Sequence, residues 1–280
     1  MTFYKVCVKM IVYIFDKRGN SMNKITSLRI LRCGYEEFKM PELYMNSNFK
    51  TEILPINVIL MEHRKLGHIL INTGCTKEMK KNTISYSKYI VKRKVSFKKE
   101  DTVISQLENE KMDPICIKKV LLTHANAECC GALPLLPKYE LLATAQLLCV
   151  LKFDHDSDNI IKSTFPKENV PMKAFNVFKG ETPLKSCFKY VYDALGDGSV
   201  LAVDIRGAAN AMTGYFIPEE KIFFAADAAI DERVLDSELF PSEKLLSMQY
   251  DADDYISVIA TLRRLHRENP DIKFIFSHSK

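Results

Sequence analysis

Runs of apolar residues divide the chain into segments with the spacing of strands or of helices. A continuous apolar run, or an apolar–polar alternation, that is bounded by turn residues predicts a β-strand. The segments with this pattern are 25–34, 53–62, 68–73, 118–123, 186–193, 199–205, 212–217, 221–227 and 273–278. Gly67 separates the second segment from the third and Pro218 separates the seventh from the eighth, so each pair is predicted to form a hairpin.

Apolar residues spaced three and four positions apart predict helices between these strands. The helices are expected from a cap at Asp101 or Thr102 to Pro114, over 141–152, and from a cap at Asp253 or Asp254 to Pro270. Residues 77–100 are basic and polar, and we expect them to form a surface helix and loop.

The order of these elements indicates a layered α/β fold. Because several consecutive strands are predicted to be hairpins, the sheet must contain antiparallel pairs, and the helices must lie outside it. This arrangement suits a layered α/β sandwich with a mixed sheet better than a doubly wound parallel sheet.

Length and composition are compatible with one large globular domain. Of the 280 residues 47% are apolar, which allows a well-buried core. The net charge of +5 is too small to argue for a nucleic-acid partner, and the basic residues of 77–100 are not interleaved with stacking aromatic side chains. The eight cysteines are irregularly spaced, which favours free thiols in a reducing compartment.

No apolar run reaches the roughly 18–20 residues that span a bilayer, so we expect no membrane partner. The apolar run near the N-terminus is broken by Lys9 and lacks the cleavage site of a signal peptide. We therefore predict a cytoplasmic protein with one domain over residues 22–280. Residues 1–21 are expected to form an N-terminal extension, either an edge strand or disordered. The oligomeric state is open, with a dimer as one alternative.

Three loops that follow predicted strands offer atoms suited to binding a metal ion. The first loop runs from His124 to Cys129, and the other two contain Asp227 and His278. Zinc is usually held by four nitrogen, sulfur or oxygen ligands, and strand ends at one sheet edge can supply them from distant parts of a chain. The sequence contains neither a phosphate-cradling glycine loop nor a serine-nucleophile elbow.

Five segments resemble, in order, motifs of the metallo-β-lactamase-fold hydrolases, most closely of their lactonase-like branch. The segments are Ile71-Asn72-Thr73-Gly74, VLLTHANAECCGALP at 120–134, GAANAMTGY at 207–215, Ala226-Asp227-Ala228 and Ser277-His278. The resemblance runs from about Ile25 to His278. It implies a four-layer αββα sandwich with mixed β-sheets.

The resemblance also implies two metal sites, one of which this chain does not keep. In the family, one ion is held by the histidines of an H-x-H motif and of a G-H segment. A second ion is held by an Asp-His pair and a terminal histidine, and an aspartate bridges both ions. At the positions of the first site this chain has His124, Asn126 and Ala208. An amide and a methyl group are poor substitutes for two imidazoles, so we expect the first site to be lost.

The positions of the second site all carry groups that can bind zinc. They are Glu128, Cys129, Asp227 and His278, and thiolate is a strong zinc ligand. The resemblance therefore implies at most one ion per chain, either zinc or iron. Asn72 replaces an aspartate that in the family supports the metal loop from outside, and such supports change metal affinity by about 10–100-fold.

A metal-free pocket is the alternative interpretation of the same residues. Cys129 can be a small buried hydrophobic residue, and Glu128 can be an acid in the first turn of a helix. Asp227 and His278 can bond to each other and to nothing else. In that case the fold is retained without its metal chemistry.

Three functions remain open on these residues, each with a small-molecule partner. In the first, one metal ion polarises the carbonyl of an ester, lactone or thioester and lowers the pKa of a bound water. In the second, the chain is a pseudoenzyme or binding protein that keeps only the pocket. In the third, Glu128 and His124 act as an acid–base pair in a metal-independent biosynthetic reaction.

Overall fold

The computed structural model describes residues 23–45, 50–153, 159–235 and 239–280. Its strands are β1 (Ile25–Lys39), β2 (Tyr44–Met45), β3 (Thr51–His63), β4 (Gly67–Ile71), β5 (Val95–Ser96), β6 (Ile117–Leu121), β7 (Glu140–Ala143), β8 (Met172–Ala174), β9 (Asn176–Val177), β10 (Tyr192–Asp193), β11 (Leu201–Asp204), β12 (Thr213–Ile217), β13 (Ile222–Phe224), β14 (Phe240–Pro241) and β15 (Lys273–Ile275). Its helices are α1 (Met40–Leu43), α2 (Thr83–Arg93), α3 (Val103–Asn109), α4 (Ala127–Cys130), α5 (Ala145–Phe153), α6 (Glu243–Ser247) and α7 (Ala252–Glu268). The predicted extension, residues 1–21, lies outside the described residues.

The described strands form two large mixed sheets and one small ribbon. The first sheet has the order β5-β1-β3-β4-β6-β7-β8, and the second has the order β15-β13-β12-β11-β10-β9. In the first sheet β4, β6, β7 and β8 run parallel, and in the second β13 and β15 run parallel. The other neighbours in both sheets are antiparallel, as are β2 and β14 of the ribbon.

Three apolar layers hold the sheets and helices together. The layer between the two sheets includes Leu28, Ile59 and Leu121 from the first sheet and Tyr215 and Phe224 from the second. Another layer lies between the first sheet and helices α3 and α5, and a third lies between the second sheet and α7. Burial of apolar surface contributes about 25 cal/mol per Å² to stability. The predicted four-layer αββα sandwich with mixed sheets is confirmed.

Both predicted hairpins are confirmed. Strands β3 and β4 are joined by a tight turn at residues 64–66, across which His63 pairs with Gly67. Gly67 has a φ of +74°, a conformation that residues with a Cβ rarely adopt. Strands β12 and β13 pair in the same antiparallel manner on either side of a turn that begins at Pro218.

The prediction of one helix over residues 141–152 is wrong. Strand β7 occupies the first part of this segment, and helix α5 begins at Ala145. Leu141, Leu142 and Ala143 are all buried, between the parallel neighbours β6 and β8. A strand buried on both faces has a continuous apolar run, which sequence periodicity does not distinguish from a buried helix.

The prediction of a strand over residues 186–193 is also mostly wrong. Pro183 begins a 3-10 turn that continues to Ser186, and Thr182 caps it by accepting a hydrogen bond from the Leu184 N–H. Only Tyr192 and Asp193 of the segment belong to a strand, β10.

Helix α7 is amphipathic and packs one face on the second sheet. Its buried residues are Tyr255, Ile259, Leu262 and Leu265. Asp251 caps it by accepting a hydrogen bond from the Asp254 N–H, so the helix begins slightly earlier than the predicted caps. None of the helices among the described residues combines the length and apolar character needed to cross a membrane.

Hydrogen bonds join the two sheets where β6 and β12 meet. The Thr213 N–H donates to the Thr123 carbonyl oxygen at 2.8 Å, and the Tyr215 hydroxyl donates to the Leu122 carbonyl oxygen at 2.6 Å. These bonds fix the end of β6 against the second sheet. The loop after β6 therefore meets the loops that follow β13 and β15.

Replacing Tyr215 by Phe should lower the free energy of unfolding by about 1–2 kcal/mol, because the buried Leu122 carbonyl loses its donor. Urea unfolding followed by circular dichroism measures the change. The control is Tyr190→Phe at a tyrosine that is 54% exposed. Equal stability of Tyr215→Phe and the wild type would mean that this bond between the sheets is not stabilising.

Candidate active site

His124 lies directly after β6 and is oriented by a chain of hydrogen bonds. Asn72, after β4, has a left-handed φ of 63°. Its Oδ1 accepts hydrogen bonds from the N–H and the hydroxyl of Thr123, both at 3.0 Å. Because the Thr123 hydroxyl proton goes to Asn72, the Thr123 oxygen accepts from Nδ1 of His124 at 2.9 Å. The Nε2 atom of His124 is left facing Asp227.

The short helix α4 places Glu128 and Cys129 beside His124. The Cys129 Sγ lies 3.7 Å from each ring nitrogen of His124. Gly131 follows the helix where a Cβ would lie 2.2 Å from the Gly74 carbonyl oxygen, so only glycine allows the two loops to pack. Gly74 and Gly131, which belong to two of the sequence motifs, thus allow α4 to pack against the loop after β4.

Both carboxylate oxygens of Glu128 already accept hydrogen bonds from the protein. The Tyr89 hydroxyl donates to Oε2 at 2.6 Å, and the Asn126 amide donates to Oε1 at 3.2 Å. The Nη2 atom of Arg93 lies 3.1 Å from the same Oε1. Since the Glu128 side chain is only 2% exposed, protein donors rather than water stabilise it.

Asp227 follows β13, and only one of its carboxylate oxygens is paired. Oδ2 lies 3.6 Å from Nε2 of His124 and 3.3 Å from Nη2 of Arg93. Oδ1 is buried and has no hydrogen-bond partner among the described residues. Leaving a buried acceptor unpaired is costly.

His278 follows β15 and contacts a further acid of the cluster, Glu36. Its Nδ1 donates to the Pro55 carbonyl oxygen at 2.9 Å, and its Nε2 lies 3.7 Å from Oε2 of Glu36. The imidazole meets the ring of Phe38 edge-on, with centroids 4.7 Å apart. These contacts hold His278 with Nε2 directed at Glu36.

Arg93, the last residue of α2, lies at the centre of the acids. Its Nε and Nη2 bind the two oxygens of Glu36 at 2.8 and 2.9 Å. The same Nη2 is 3.1 Å from Glu128 and 3.3 Å from Asp227. The Arg93 side chain is only 14% exposed. One nitrogen therefore contacts carboxylate oxygens from a strand, a helix and a loop.

A cleft with a volume of about 180 Å³ opens onto this cluster. Its polar lining includes Glu36, Arg93, Asp227, His278 and several lysines. Its apolar lining includes Leu43, Ile230 and Tyr255. The cleft can therefore admit a small molecule with both polar and apolar groups.

Three residues of this cluster, Glu36, Tyr89 and Arg93, were missed by the sequence analysis. The prediction that residues 77–100 lie at the surface is wrong for the inner face of α2, where Tyr89 is fully buried. Tyr89 and Arg93 are four positions apart and share that face of α2. The aromatic Tyr89 in an otherwise basic helix was the signal in the sequence that this face is buried. Glu36 stands beside Glu37 in a strand and carries no comparable signal.

No protein-family model and no curated protein matches the chain, but solved structures match its fold. A quorum-quenching N-acyl homoserine lactone lactonase has a TM-score of 0.64 at 14% identity, covering 90% of this chain and 91% of that one. A probable metal-dependent hydrolase from Staphylococcus aureus has a TM-score of 0.65 at 12% identity, covering 92% and 90%. AidC, a dizinc quorum-quenching lactonase, has a TM-score of 0.58 at 15% identity, covering 90% and 87%.

The chain has the metallo-β-lactamase fold. Its structural neighbours are hydrolases of this fold, and the structural match covers nearly the whole chain. Likeness at such low identity establishes the fold alone, because one fold supports many chemistries. The chemistry of this chain therefore depends on the side chains of its own site.

A zinc ion does not fit between Glu128 and Asp227 while Arg93 holds its position. Zinc needs oxygen and nitrogen ligands at about 2.0–2.2 Å, and Nη2 of Arg93 already contacts both carboxylates. Ligand atoms of His124, Glu128 and Cys129 do lie within 4.8 Å of one another. Two of the four expected ligands, Glu128 and Cys129, are thus grouped with His124. A third, His278, instead has its Nε2 atom next to Glu36.

Burial and neighbouring charges shift the pKa values of this cluster in different directions. Burial opposes ionisation of Asp227, but His124 and Arg93 hold the pKa of its carboxyl well below the usual range. Burial also opposes protonation of His124, but the charged Asp227 carboxylate raises its pKa well above the usual value. Burial raises the pKa of the Cys129 thiol to about 12, against the effect of His124. Near neutral pH, Asp227 is charged and Cys129 is a thiol.

Replacing Asp227 by Asn should make stability less dependent on pH on the acid side. The depressed pKa means that the ionised Asp227 stabilises the fold above the unfolded-state pKa of about 3.9, and that this contribution falls as pH drops below it. Urea unfolding between about pH 3 and pH 6 should therefore show a smaller loss for the variant. Glu181→Gln, at a side chain that is 95% exposed, is the control. Parallel curves for Asp227→Asn and the wild type would contradict the expectation.

Proposed function

We propose that this hydrolase-fold chain binds a small molecule in the cleft without a metal ion, as a pseudoenzyme or binding protein. The supporting observation is the state of two expected metal ligands. Glu128 is bonded to Tyr89, Asn126 and Arg93, and the Oδ2 atom of Asp227 is paired with His124 and Arg93. Ligand atoms that are already satisfied by protein donors need no cation to stabilise them.

The residues at the first metal site support the same proposal. His124 is oriented by Thr123 and faces Asp227. Asn126 uses its amide to donate to Glu128, and the methyl side chain of Ala208 offers no ligand atom. We therefore propose that the first site is lost and that its residues now serve the hydrogen-bond network.

Asp227 lines the cleft, and its carboxylate indicates the class of ligand. An ionised carboxylate only accepts hydrogen bonds, so a matching ligand presents a hydroxyl, amide N–H or ammonium group. Leu43, Ile230 and Tyr255 supply an apolar wall in the same cleft. We infer a small molecule with a donor-bearing head and an apolar portion, a description that N-hexanoyl-L-homoserine, bound in one of the neighbouring structures, also meets.

A one-metal hydrolase is the second candidate. It is favoured by the proximity of His124, Glu128 and Cys129, whose ligand atoms lie within 4.8 Å of one another. In this proposal one zinc or iron ion, held by Glu128, Cys129, Asp227 and His278, supplies the Lewis acid for cleaving an ester, lactone or thioester. Arg93 would first have to withdraw, and Cys129 would have to lose its proton.

A metal-independent reaction that uses Glu128 and His124 as an acid–base pair is less well supported. Both Glu128 oxygens are engaged by donors of the protein, and Nδ1 of His124 is engaged by Thr123. Nε2 of His124, the remaining ring nitrogen, faces Asp227 and not Glu128.

Untagged protein purified without chelator should contain essentially no zinc or iron, as measured by plasma mass spectrometry. It should hydrolyse N-hexanoyl homoserine lactone, phenyl acetate and a simple thioester no faster than the Asp227→Ala variant. The reason is that Nη2 of Arg93 already contacts the carboxylates of Glu128 and Asp227. The opposite result, turnover that chelator removes and zinc restores, would establish the one-metal hydrolase instead.

Molecules that bind the cleft should bind Asp227→Asn at least about tenfold more weakly than the wild type. A hydrogen bond to a charged acceptor contributes about 1.5–3 kcal/mol, and a carboxamide lacks the charge. A library of small hydroxyl- and amide-bearing compounds, screened by ligand-observed NMR and followed by calorimetry, provides the test. Arg233→Ala, outside the cleft, is the control. Hits that bind Asp227→Asn and the wild type equally well would contradict the role of the Asp227 carboxylate.

A further inference from the structure

We propose that the guanidinium group of Arg93 is a built-in cation that takes the place of the second-site metal ion, and that removing it turns the cleft into a zinc site. The inference rests on the proposed function, since it explains how the acids of the cleft are kept together without a metal. It adds a specific replacement, one side chain for one ion, and the consequence that removal of this side chain creates a zinc site.

The contacts of a single atom support this replacement. Nη2 of Arg93 lies 2.9 Å from Glu36, 3.1 Å from Glu128 and 3.3 Å from Asp227. Two of these acids stand at positions where the family's second ion has ligands. A guanidinium nitrogen among three carboxylates thus makes the kind of contact that a bound cation makes.

The position of Arg93 is enforced by its own helix and by Glu36. The bidentate pair with Glu36 fixes the plane of the guanidinium group. One turn earlier on α2, Tyr89 donates to Glu128, so the helix reaches the same acid from two positions. Lys94 then ends the helix in a left-handed conformation, so that Arg93 occupies the last helical position. Arg93 is therefore held in the cluster and does not merely reach into it.

Electrostatics explains why the acids require a cation here. Glu36, Glu128 and Asp227 have side chains that are 5%, 2% and 11% exposed. Like charges in a poorly solvated volume repel strongly, and neither water nor salt screens them well. Either a metal ion or a permanently charged side chain can relieve the repulsion, and the guanidinium group remains charged at any pH the protein meets.

Removing the Arg93 side chain would leave the same acids beside two further ligand atoms. His124 and Cys129 have ligand atoms within 4.8 Å of those of Glu128. With Arg93 replaced by Ala, space and excess negative charge are created at the same point. Both changes favour a divalent cation, and zinc suits a set of carboxylate, imidazole and thiolate groups.

The experiment compares zinc retention by wild type, Arg93→Ala and two controls. Each protein is exposed to zinc, desalted, and measured by plasma mass spectrometry, and thermal unfolding is recorded with zinc and with chelator. We expect Arg93→Ala to rise from essentially no zinc to about one ion per chain, as a single four-ligand site implies. Zinc should also raise its unfolding midpoint and leave that of the wild type unchanged.

The two controls show whether zinc binding results from loss of the positive charge in the cluster or from loss of an arginine elsewhere. Arg93→Lys keeps a positive charge in the cluster and should retain no zinc. Arg233→Ala removes an arginine that pairs with Asp231 and Glu52 outside the cleft, and it should also retain none. Cobalt(II) in place of zinc should give Arg93→Ala a thiolate-to-metal absorption band that the added change Cys129→Ser abolishes, which locates the ion.

If Arg93→Ala fails to fold, Arg93→Ala/Glu36→Gln removes one acid with the cation and takes its place in the same measurements. A folded variant of either kind that retains no more zinc than the wild type would overturn the inference and leave the metal-free proposal intact. Stoichiometric zinc in the wild type would instead overturn the proposed function. The two failures are therefore distinguishable.

Discussion

The architecture of the candidate site depends on one buried ion cluster, in which the guanidinium group of Arg93 binds Glu36, Glu128 and Asp227. Buried acids of this kind ionise at a high cost unless a cation is among them, because the interior of a protein solvates charge poorly. Each acid belongs to a different element, so the cluster also joins β1, α4 and the loop after β13. The positive charge of Arg93 therefore both stabilises the three acids and holds the three elements together.

The sandwich brings these elements together by means that do not involve charge. Apolar side chains between the sheets fix their relative position, and the Tyr215 hydroxyl ties β12 to the end of β6. The amide of Asn72 then holds Thr123, which orients His124. A rigid apolar scaffold is what allows a few polar side chains to be held in one arrangement.

The apolar layers and the polar residues of the candidate site occupy different parts of the fold. The solved neighbours include a dizinc lactonase and a probable metal-dependent hydrolase, and they match this chain over most of its length. The polar side chains of the candidate site lie mainly in loops at strand ends, where substitution does not disturb the apolar layers. Asn126 and Ala208 can therefore stand where ligands are expected while the sheets remain unchanged.

The sequence by itself determined the hairpins, the layered sandwich and the loops that meet at the site, because apolar periodicity and turn residues are local signals. Through the resemblance of its motifs it also predicted a site that contains His124, Glu128, Cys129, Asp227 and His278. Only the tertiary structure decided what neutralises that cluster. Arg93 and Glu36 are 57 positions apart, and no local pattern records that a helix from one segment reaches an acid on a distant strand. Their pairing is a consequence of packing, which brings together charges that the sequence keeps apart.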